Sequence, residues 1–397
     1  MRNTTWKIKT SNQNKSIMLN NFPIDQDILK ILHSRGIVSK KDIINFLDPS
    51  LDNIQPSSLL SDMKKSVDLI IECINNGKNI WIYGDYDVDG ITSTSILYLA
   101  LKDLGAEFLN YYIPIRDEGY GLNNTALKTI KNSGADLLIT VDCGITSFKE
   151  IEFAKSIGLD VIITDHHDIQ SDKIPNAYSI INPKRTDNAF TFNALAGVGV
   201  AFMLILNLYE KLKTKEEAYV YLDLVAIGTI ADIVPLVKEN RIFAKHGLEK
   251  LLYSENKGLR FLITKLFETA KLEFTTYDVG FVIAPVFNAA GRLKDAKMVV
   301  KLLTSDNDRE IEVISKELIN KNFERRELQT TLVELVEANI QKNNLNDNLV
   351  IVDASSEYHH GIIGIIASKV VDAHYKPAII MEIKEDEGVA VASRRSI

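Results

Sequence analysis

The stretch WIYGDYDVDG, residues 81–90, decides how the rest of the chain is interpreted. An apolar run typical of a buried strand ends abruptly in Asp85, Asp87 and Asp89, and Gly90 closes the turn. Carboxylates this close repel one another, and each favours its neutral form unless a cation lies among them. The stretch therefore predicts a metal site whose other ligands come from elsewhere in the chain.

A calcium-binding EF-hand loop also begins with acidic residues at alternate positions followed by glycine. That loop requires a bidentate glutamate at its twelfth position, which is Ile96 in this chain. The EF-hand interpretation therefore fails.

Composition places the chain in a broad class and leaves its function open. Its 397 residues are 46% hydrophobic and 25% charged, which is typical of a soluble globular protein of two or three domains. No apolar run is long enough for a membrane span, and the polar start lacks the apolar stretch of a signal peptide. Cys73 and Cys143 stand apart from any CxxC pair, which argues against a disulfide framework and favours the cytoplasm. The net charge of −7 argues mildly against nucleic-acid binding, although a local basic cleft is invisible in the sum.

Strand-like and helix-like segments alternate from about residue 63 onward. Such alternation, with glycine closing each helix, predicts an α/β fold in which a parallel sheet is wound with helices. The predicted strands are 79–83, 107–113, 136–141 and 160–164, and the predicted helices are 63–75, 91–104, 124–132 and 147–157.

The remaining segments predict a helical N-terminal lead-in, two apolar helices, a long connecting helix and a second, smaller α/β domain. In the first apolar helix, Gly197 and Gly199 are interpreted as close helix packing, because a nucleotide-binding glycine loop needs a preceding strand. The lead-in comprises residues 25–35 and 39–46, and the two apolar helices are 194–209 and 219–233. The connecting helix is 306–344, and the second domain begins with 349–353, 362–374 and 377–382. The predicted divisions are 1–60, 61–250, 251–345 and 346–397.

Further polar side chains follow two other predicted strands. Asp142 follows one strand, and Asp165, His166 and His167 follow the next. A lone aspartate here would usually cap a helix, and an isolated histidine pair would usually lie on the surface. However, open α/β sheets bind ligands past the carboxyl ends of their strands, so these groups should meet the acidic stretch on one edge.

Carboxylate and imidazole ligands without thiolates suit Mn²⁺ better than Mg²⁺ or structural zinc. So many anionic ligands exceed the need of one divalent ion, and two ions bridged by one carboxylate would satisfy them. The chemistry typical of such a pair is hydrolysis of a phosphate ester or anhydride.

The motif TDHH, residues 164–167, downstream of DYDVDG and VDCG, resembles the DHH phosphoesterase family, and within it the bacterial exonucleases specific for single-stranded DNA. The ordered set of matches extends from about residue 80 to the end of the chain. The further stretches are IPIRDEGYGLN (113–123), NPK (182–184), LAGVGVAF (195–202), GTIADIVPL (228–236), NAAGRL (288–293) and HHGIIGIIASK (359–369).

The resemblance implies two Mn²⁺ or Mg²⁺ ions and removal of nucleotides from single-stranded DNA in the 5′→3′ direction. One of the two histidines would serve catalysis or contact the scissile phosphate rather than a metal. The implied metal ligands are Asp87, Asp89, Asp142, His166 and Asp232, and His167 completes the implied catalytic set. Asp85 and Asp165 are expected behind the ligands, where they orient them. Asp223 is a rival for the place of Asp232, and we interpret it as a helix surface residue.

The resemblance also implies contacts with DNA. Arg116, Ser393 and Arg395 would bind a terminal 5′-phosphate, because arginine's planar fork matches that group. The other implied DNA contacts are Asn288, Arg292 and His359 along the strand and Tyr120, which would stack on a base. For Arg116 and Arg292 the alternative is a structural salt bridge.

The chain departs from the family pattern at Val286, Arg394 and His360, none of which is a predicted metal ligand. Its last domain looks incomplete, and the oligonucleotide-binding barrel usual in these exonucleases is missing, so we expect a shortened chain. Two rival functions are a DHH phosphodiesterase for short oligonucleotides or cyclic dinucleotides, and a non-catalytic DNA-binding scaffold. The family suggests a monomer that works beside a helicase and a single-strand-binding protein.

Overall fold

The computed structural model describes residues 18–19, 22–115, 118–119, 121–170, 173–292 and 296–397. Arg116 and Tyr120, both predicted to contact DNA, lie outside the described residues. None of the described helices combines the length and the apolar character that crossing a bilayer requires.

A parallel sheet forms the centre of the larger body, as predicted, and it has five strands. Its strands are β1 (Ile80–Tyr83), β2 (Leu109–Tyr112), β3 (Leu137–Val141), β4 (Asp160–Thr164) and β5 (Ser179–Ile181). Their order across the sheet is β2-β1-β3-β4-β5, and every neighbouring pair is parallel. The continuous apolar runs of β1 and β3 suit strands that are covered on both faces. The sequence did not predict β5, because three residues are too few to show a period.

Helices cover both faces of this sheet and extend beyond it. They are α1 (Gln26–Ser34), α2 (Lys40–Leu47), α3 (Met63–Asn75), α4 (Val88–Asp103), α5 (Asn124–Asn132), α6 (Phe148–Ser156), α7 (Gly197–Leu212), α8 (Leu222–Ala231), α9 (Lys238–Lys250), α10 (Lys257–Leu266), α11 (Ala284–Arg292) and α12 (Lys297–Thr304). A π-helical turn, Asp278–Ile283, leads directly into α11. Short 3-10 helices are Leu51–Asn53, Ser57–Leu59, Lys215–Tyr221 and Leu251–Tyr253.

The start of α4 differs from the prediction. The helix begins at Val88 rather than at residue 91, because the side chain of Asp87 accepts a hydrogen bond from Gly90 N at 3.1 Å and caps the helix. Asp89 therefore lies in the first helical turn and not in a loop. Asp87 and Asp89 therefore both belong to the N-terminus of α4, Asp87 as its cap and Asp89 in its first turn.

A second, smaller unit follows the long helix α13 (Asp308–Lys342) and the 3-10 turn Leu345–Asp347. It contains β6 (Ile351–Ser355), α14 (His360–His374), β7 (Ala378–Lys384), the 3-10 turn Glu385–Glu387 and β8 (Val389–Arg395). The strand order is β8-β7-β6, with β6 parallel and β8 antiparallel to β7. The sequence predicted the first two strands and not β8, whose alternation ends in charged residues.

The buried apolar side chains form separate cores. Two of them lie on opposite faces of the central sheet, and the larger one continues from Ile54 to Leu318. A third core joins the second half of α13 to the small unit, and a fourth lies between α1 and α2. Near the chain start, Met18–Leu19 pairs with Phe22–Pro23 in a short antiparallel ladder.

Candidate metal centre

The candidate site lies at the carboxyl ends of three neighbouring strands. Strand β1 leads to the acidic turn of residues 85–89, β3 leads to Asp142, and β4 leads to residues 165–167. Because β1, β3 and β4 are adjacent and parallel, their ends project these side chains to one edge of the sheet. The predicted convergence of these groups on one edge is therefore what the structure contains.

Asp89 is held by the start of α7. Its carboxylate oxygens accept hydrogen bonds from Gly197 N at 2.6 Å and Val198 N at 2.7 Å. The first N–H groups of a helix have no partner within the helix and carry partial positive charge, so they suit an anion. Each charge-assisted bond of this kind is worth about 1.5–3 kcal/mol. Asp89 is consequently fixed in position although it is almost fully buried.

His166 lies at the centre of the carboxylates. Its Nε2 atom is 3.1 Å from Asp142 Oδ1, 3.7 Å from Asp232 Oδ2 and 3.8 Å from Asp89 Oδ2. Asp232 follows the last residue of α8 and comes from a part of the chain that contributes no strand. The structure thus brings Asp232 to the same edge as the other candidate ligands, as the motif predicted.

Two residues at the site have unusual backbone conformations. Asp142 has a φ of +59°, and Ile233, directly after Asp232, has a φ of +60°. Left-handed backbone is tolerated by aspartate but is strained for a β-branched residue. Strain of this kind costs about 1–3 kcal/mol and persists where the surroundings fix it, as they do at binding sites.

Asp165 supports the two histidines. Its Oδ1 atom lies 2.7 Å from His167 Nδ1 and accepts the backbone N–H groups of His166 and His167, at 2.7 and 3.0 Å. Its other oxygen accepts Ile145 N at 2.9 Å. Asp165 therefore orients the histidine pair through its hydrogen bonds, which agrees with the place expected for it.

The ligand atoms fall into three overlapping groups, within each of which all atoms lie no more than 4.8 Å apart. These groups are Asp85, Asp87 and Asp142, then Asp142, His166 and His167, then Asp89, His166 and Asp232. Asp142 and His166 each belong to two groups, and of these two Asp142 is a carboxylate, the residue type expected to bridge two ions. Asp85 was expected behind the ligands, but its carboxylate lies as close to Asp87 and Asp142 as a ligand would.

Burial and mutual repulsion indicate that these groups are arranged for a cation. Burial, with the charge of Asp87, raises the pKa of Asp89 to about 7, and burial with the charge of Asp89 raises the pKa of Asp232 to about 7. Burial and the charge of Asp89 also hold the pKa of Asp142 well above its ordinary value. One oxygen of Asp232 is buried and accepts no hydrogen bond from the described residues. Carboxylates with one or two imidazoles fit Mn²⁺ or Mg²⁺ by donor type.

The two histidines differ in their electrostatic surroundings. Burial lowers the pKa of His166, which favours the neutral imidazole that binds metals. Burial acts in the same sense on His167, but the hydrogen bond and charge of Asp165 outweigh it and raise the pKa of His167. The His167 side chain is also 41% exposed, compared with 11% for the His166 side chain. His167 is therefore the better suited of the two to meet an anionic substrate.

Asp223 proves to be neither a ligand nor a surface residue. It is 1% exposed and accepts hydrogen bonds from Ser254 Oγ and Leu224 N. The interpretation as a helix surface residue was wrong, because the apolar face of α8 extends all round the helix and leaves no solvent side for Asp223. It does not occur in any of the three candidate ligand groups.

The second unit approaches the site through Arg292. Arg292 Nη1 donates a hydrogen bond to Gly361 O at 2.7 Å, which joins the end of α11 to the start of α14. One residue earlier, a Cβ on Gly291 would lie 2.4 Å from the backbone oxygen of Tyr86, so α11 also touches the acidic turn. His359 lies next to this contact, because a Cβ built on Gly361 would be 2.7 Å from Arg292 O and 3.1 Å from His359 Nδ1, and the ring of His359 stacks on that of His360 at 4.9 Å.

The other residues predicted to contact DNA lie on exposed or half-buried positions. Asn288 is half-buried on α11, one turn before Arg292. Arg395 Nη1 donates to Ser393 Oγ at 3.3 Å, and its Nε donates to Ser368 Oγ of α14 at 3.2 Å. Ser393 and Arg395 therefore lie together on one face of the small unit, as a shared phosphate contact requires.

Sequence reasoning missed the role of Gly197. Gly197 and Gly199 were both interpreted as close helix packing, but a Cβ at Gly199 would make only ordinary van der Waals contacts with Leu195 and Phe243. Gly197 instead donates to Asp89 and borders Asp142. The available signal was the position of GVG at the start of an apolar helix, where free N–H groups collect.

Comparison with known proteins gives a consistent family assignment. Residues 79–229 match the DHH family, N-terminal domain. The single-stranded-DNA-specific exonuclease RecJ of Bacillus subtilis (strain 168) is 38% identical over 394 residues, covering 99% of this chain and 49% of that protein. A crystal structure of exonuclease RecJ bound to manganese has a TM-score of 0.74 at 33% identity, covering 85% of this chain and 83% of that one. The structure of RecJ in complex with Mg²⁺ from Thermus thermophilus has a TM-score of 0.67 at 30% identity, covering 92% of this chain and 48% of that one. The chain spans 49% of the Bacillus subtilis protein and 65% of the Escherichia coli RecJ that it also matches.

Proposed function

This chain belongs to the DHH family, among the RecJ exonucleases, and from that membership we propose that it is a metal-dependent single-stranded-DNA exonuclease acting in the 5′→3′ direction, in DNA repair and recombination. The observation that carries the proposal is that Asp142 belongs to two ligand groups, at the edge of the sheet where three adjacent strands end. Such a site suits hydrolysis of phosphodiester bonds by two Mn²⁺ or Mg²⁺ ions.

We propose the following roles for the residues of the site. Asp87, Asp89, Asp142, His166 and Asp232 would hold the ions, with Asp85 close enough to join them. When bound, the ions supply an activated water and neutralise charge on the scissile phosphate. His167, held in place by Asp165, carries a positive charge more readily than an ordinary histidine and would contact the phosphate or donate a proton to the leaving oxygen.

The end of the strand would be recognised by the small unit. Ser393 and Arg395 are proposed to bind a 5′-phosphate together with Arg116, and Tyr120 is proposed to stack on a base. Asn288, Arg292 and His359 would contact the backbone nearer the metals. Substitution of Arg395 or Arg116 by alanine should reduce the preference for 5′-phosphorylated over 5′-hydroxyl strands, and an unchanged preference would exclude this role.

The deciding experiment measures Mn²⁺-dependent degradation by the wild type, Asp142→Ala and Asp160→Ala. The three substrates are long single strands, dinucleotides and cyclic dinucleotides. Asp160 is the matched control, because its exposed carboxylate lies at the opposite end of β4. The proposal requires loss of activity on long single strands in Asp142→Ala alone. Cleavage of dinucleotides or cyclic dinucleotides in preference to long strands would favour the phosphodiesterase. Binding of single strands without any cleavage by the wild type would favour the non-catalytic scaffold.

The division into residues 1–60, 61–250, 251–345 and 346–397 is retained as a proposal. The core that runs from Ile54 to Leu318 supports grouping the third segment closely with the second. A cytoplasmic monomer that acts beside a helicase and a single-strand-binding protein is likewise a proposal, supported by the chemistry of the substrate rather than by any contact in the structure.

A further inference from the structure

Arg325, in the middle of the long helix α13, is a buried cation without a carboxylate partner among the described residues. Only 9% of its surface is exposed. Its Nε and Nη2 atoms donate to Asn322 Oδ1 at 3.3 and 3.1 Å, and Nη1 donates to Gln329 Oε1 at 3.0 Å. All these acceptors are neutral amide oxygens on its own helix.

This arrangement is costly for the protein alone. A buried charge usually has a counter-charge, and without one its burial is strongly unfavourable. Burial, with the neighbouring charge of Arg326, lowers the pKa of Arg325. A guanidinium has five N–H donors, and the hydrogen bonds to Asn322 and Gln329 leave some of them without an acceptor in the described part of the chain.

The position of Arg325 along α13 indicates where an anionic ligand would bind. The buried face of α13 is apolar at Ile314 and Leu318, which belong to the core of the larger body. It is apolar again at Leu332 and Val336, which belong to the core of the small unit. Between these two stretches the buried face carries Arg325 with its neighbour Asn322. The polar interval therefore lies at the seam between the two bodies.

The same seam is bordered by residues of the proposed DNA path. Helix α11 packs on α13 and ends in Arg292, which crosses to the start of α14. A seam that only joined two bodies would be more stable if its helix face stayed apolar throughout. A polar, positively charged stretch of the helix face suits a place where a negatively charged ligand binds.

We propose that Arg325, positioned by Asn322, binds a backbone phosphate of the single-stranded nucleic acid at the seam between the two bodies. This inference rests on the proposed function and adds a binding residue to it. The planar fork of Arg325 offers its remaining donors to two phosphate oxygens, and the phosphate supplies the missing counter-charge. The amide of Asn322 fixes the guanidinium plane before the ligand arrives.

The test compares Arg325→Met with Arg326→Met, its exposed neighbour on the same helix. Both variants lose one positive charge, so a long-range electrostatic effect is the same in each. Binding of a 5′-phosphorylated single strand is measured by fluorescence anisotropy without divalent metal, over a range of salt concentrations. Arg325→Met should bind roughly 10- to 100-fold more weakly, and its salt dependence should lose about 0.7 in slope, the value for one phosphate contact. Arg326→Met should bind nearly as the wild type does.

Thermal unfolding separates this role from a structural one. Removing an uncompensated buried charge should leave the Tm of Arg325→Met unchanged or higher, whereas loss of a structural contact would lower it. A lower Tm with unchanged affinity for single strands would overturn the proposal. Arg325→Lys provides a second variant, which keeps the charge without the fork and should bind with intermediate affinity.

Three further results would also overturn it. If inorganic phosphate raises the Tm of the wild type and not of Arg325→Met while both bind single strands equally, the site takes free anions only. If the wild type degrades single strands with Mn²⁺ but both methionine variants bind alike, the inference fails and the proposed function stands. If the wild type neither binds nor degrades single strands, the proposed function fails and takes the inference with it.

Discussion

Gly197 lies directly against the carboxylate of Asp142: a Cβ built on this glycine would be 2.6 Å from Asp142 Oδ1 and 2.8 Å from its Cγ. Asp142 is itself buried in left-handed backbone, so it cannot move aside easily. The absence of a side chain at Gly197 therefore sets the position of the carboxylate that two ligand groups share.

The first prediction concerns this contact. Gly197→Ala should displace Asp142 and lower Mn²⁺ affinity by about 10- to 100-fold, the range typical of losing a group that orients a ligand. Titration calorimetry with Mn²⁺ measures the change. Gly280→Ala is the matched control, because a Cβ at Gly280 would meet nothing within 4 Å. Equal Mn²⁺ affinity in the two variants would show that Asp142 does not depend on Gly197.

The second prediction concerns pH. The pKa of Asp89 and that of Asp232 are raised to about 7, mainly by burial, whereas an aspartate in an unfolded chain has a pKa of about 3.9. Between these values the folded state holds more protons than the unfolded state, so stability decreases as pH rises through this window. The Tm of the metal-free protein should therefore fall from about pH 5 to about pH 8, and Mn²⁺ should restore it at the upper end.

Asp232→Asn provides the internal check for that titration. The amide cannot ionise, so the fall in Tm between about pH 5 and pH 8 should become shallower than in the wild type. Metal binding must displace protons from these carboxylates, and Mn²⁺ affinity should accordingly rise with pH. A Tm that stays level across this range without metal would contradict the raised pKa values.

The third prediction separates the two histidines. His167→Asn should retain Mn²⁺ affinity within a few-fold and lose about 10²- to 10⁴-fold in kcat, because the half-exposed ring of His167 is held by Asp165, whose hydrogen bond and charge outweigh burial and raise the pKa of His167. His166→Asn should lose Mn²⁺ affinity, since its Nε2 lies among three carboxylates. Parallel loss of Mn²⁺ affinity in both variants would identify His167 as a ligand.

The fourth prediction concerns Arg292. The sequence leaves open whether this residue contacts DNA or holds the structure, and its hydrogen bond to Gly361 O supports a structural contribution. Arg292→Met should destabilise the protein by about 1.5–3 kcal/mol, the value of a charge-assisted hydrogen bond, and lower its Tm. Asn288→Ala, one turn away, should weaken single-strand binding without that loss of Tm. An unchanged Tm in Arg292→Met would leave DNA contact as the main role of Arg292.

Local patterns were sufficient for much of the fold. Alternation of apolar strands with glycine-terminated helices predicted the parallel sheet, and the bounds of α3 and α5 agree with the prediction. The start of α4 was predicted too late, because an aspartate run looks like a loop until Asp87 is seen to accept the Gly90 N–H as a cap. Strands β5 and β8 were missed, since a short or charged strand has no distinctive period.

The sequence by itself determined which carboxylates and histidines lie at the sheet edge, because residues that follow parallel strands must emerge on the same side. It also carried the family motifs. Only the tertiary structure decided that Gly197 and Val198, far along the chain, bind Asp89, that Asp223 is buried, and that Arg325 lies at a seam. Periodicity reports how one element meets solvent, whereas these contacts depend on how separate elements pack against one another.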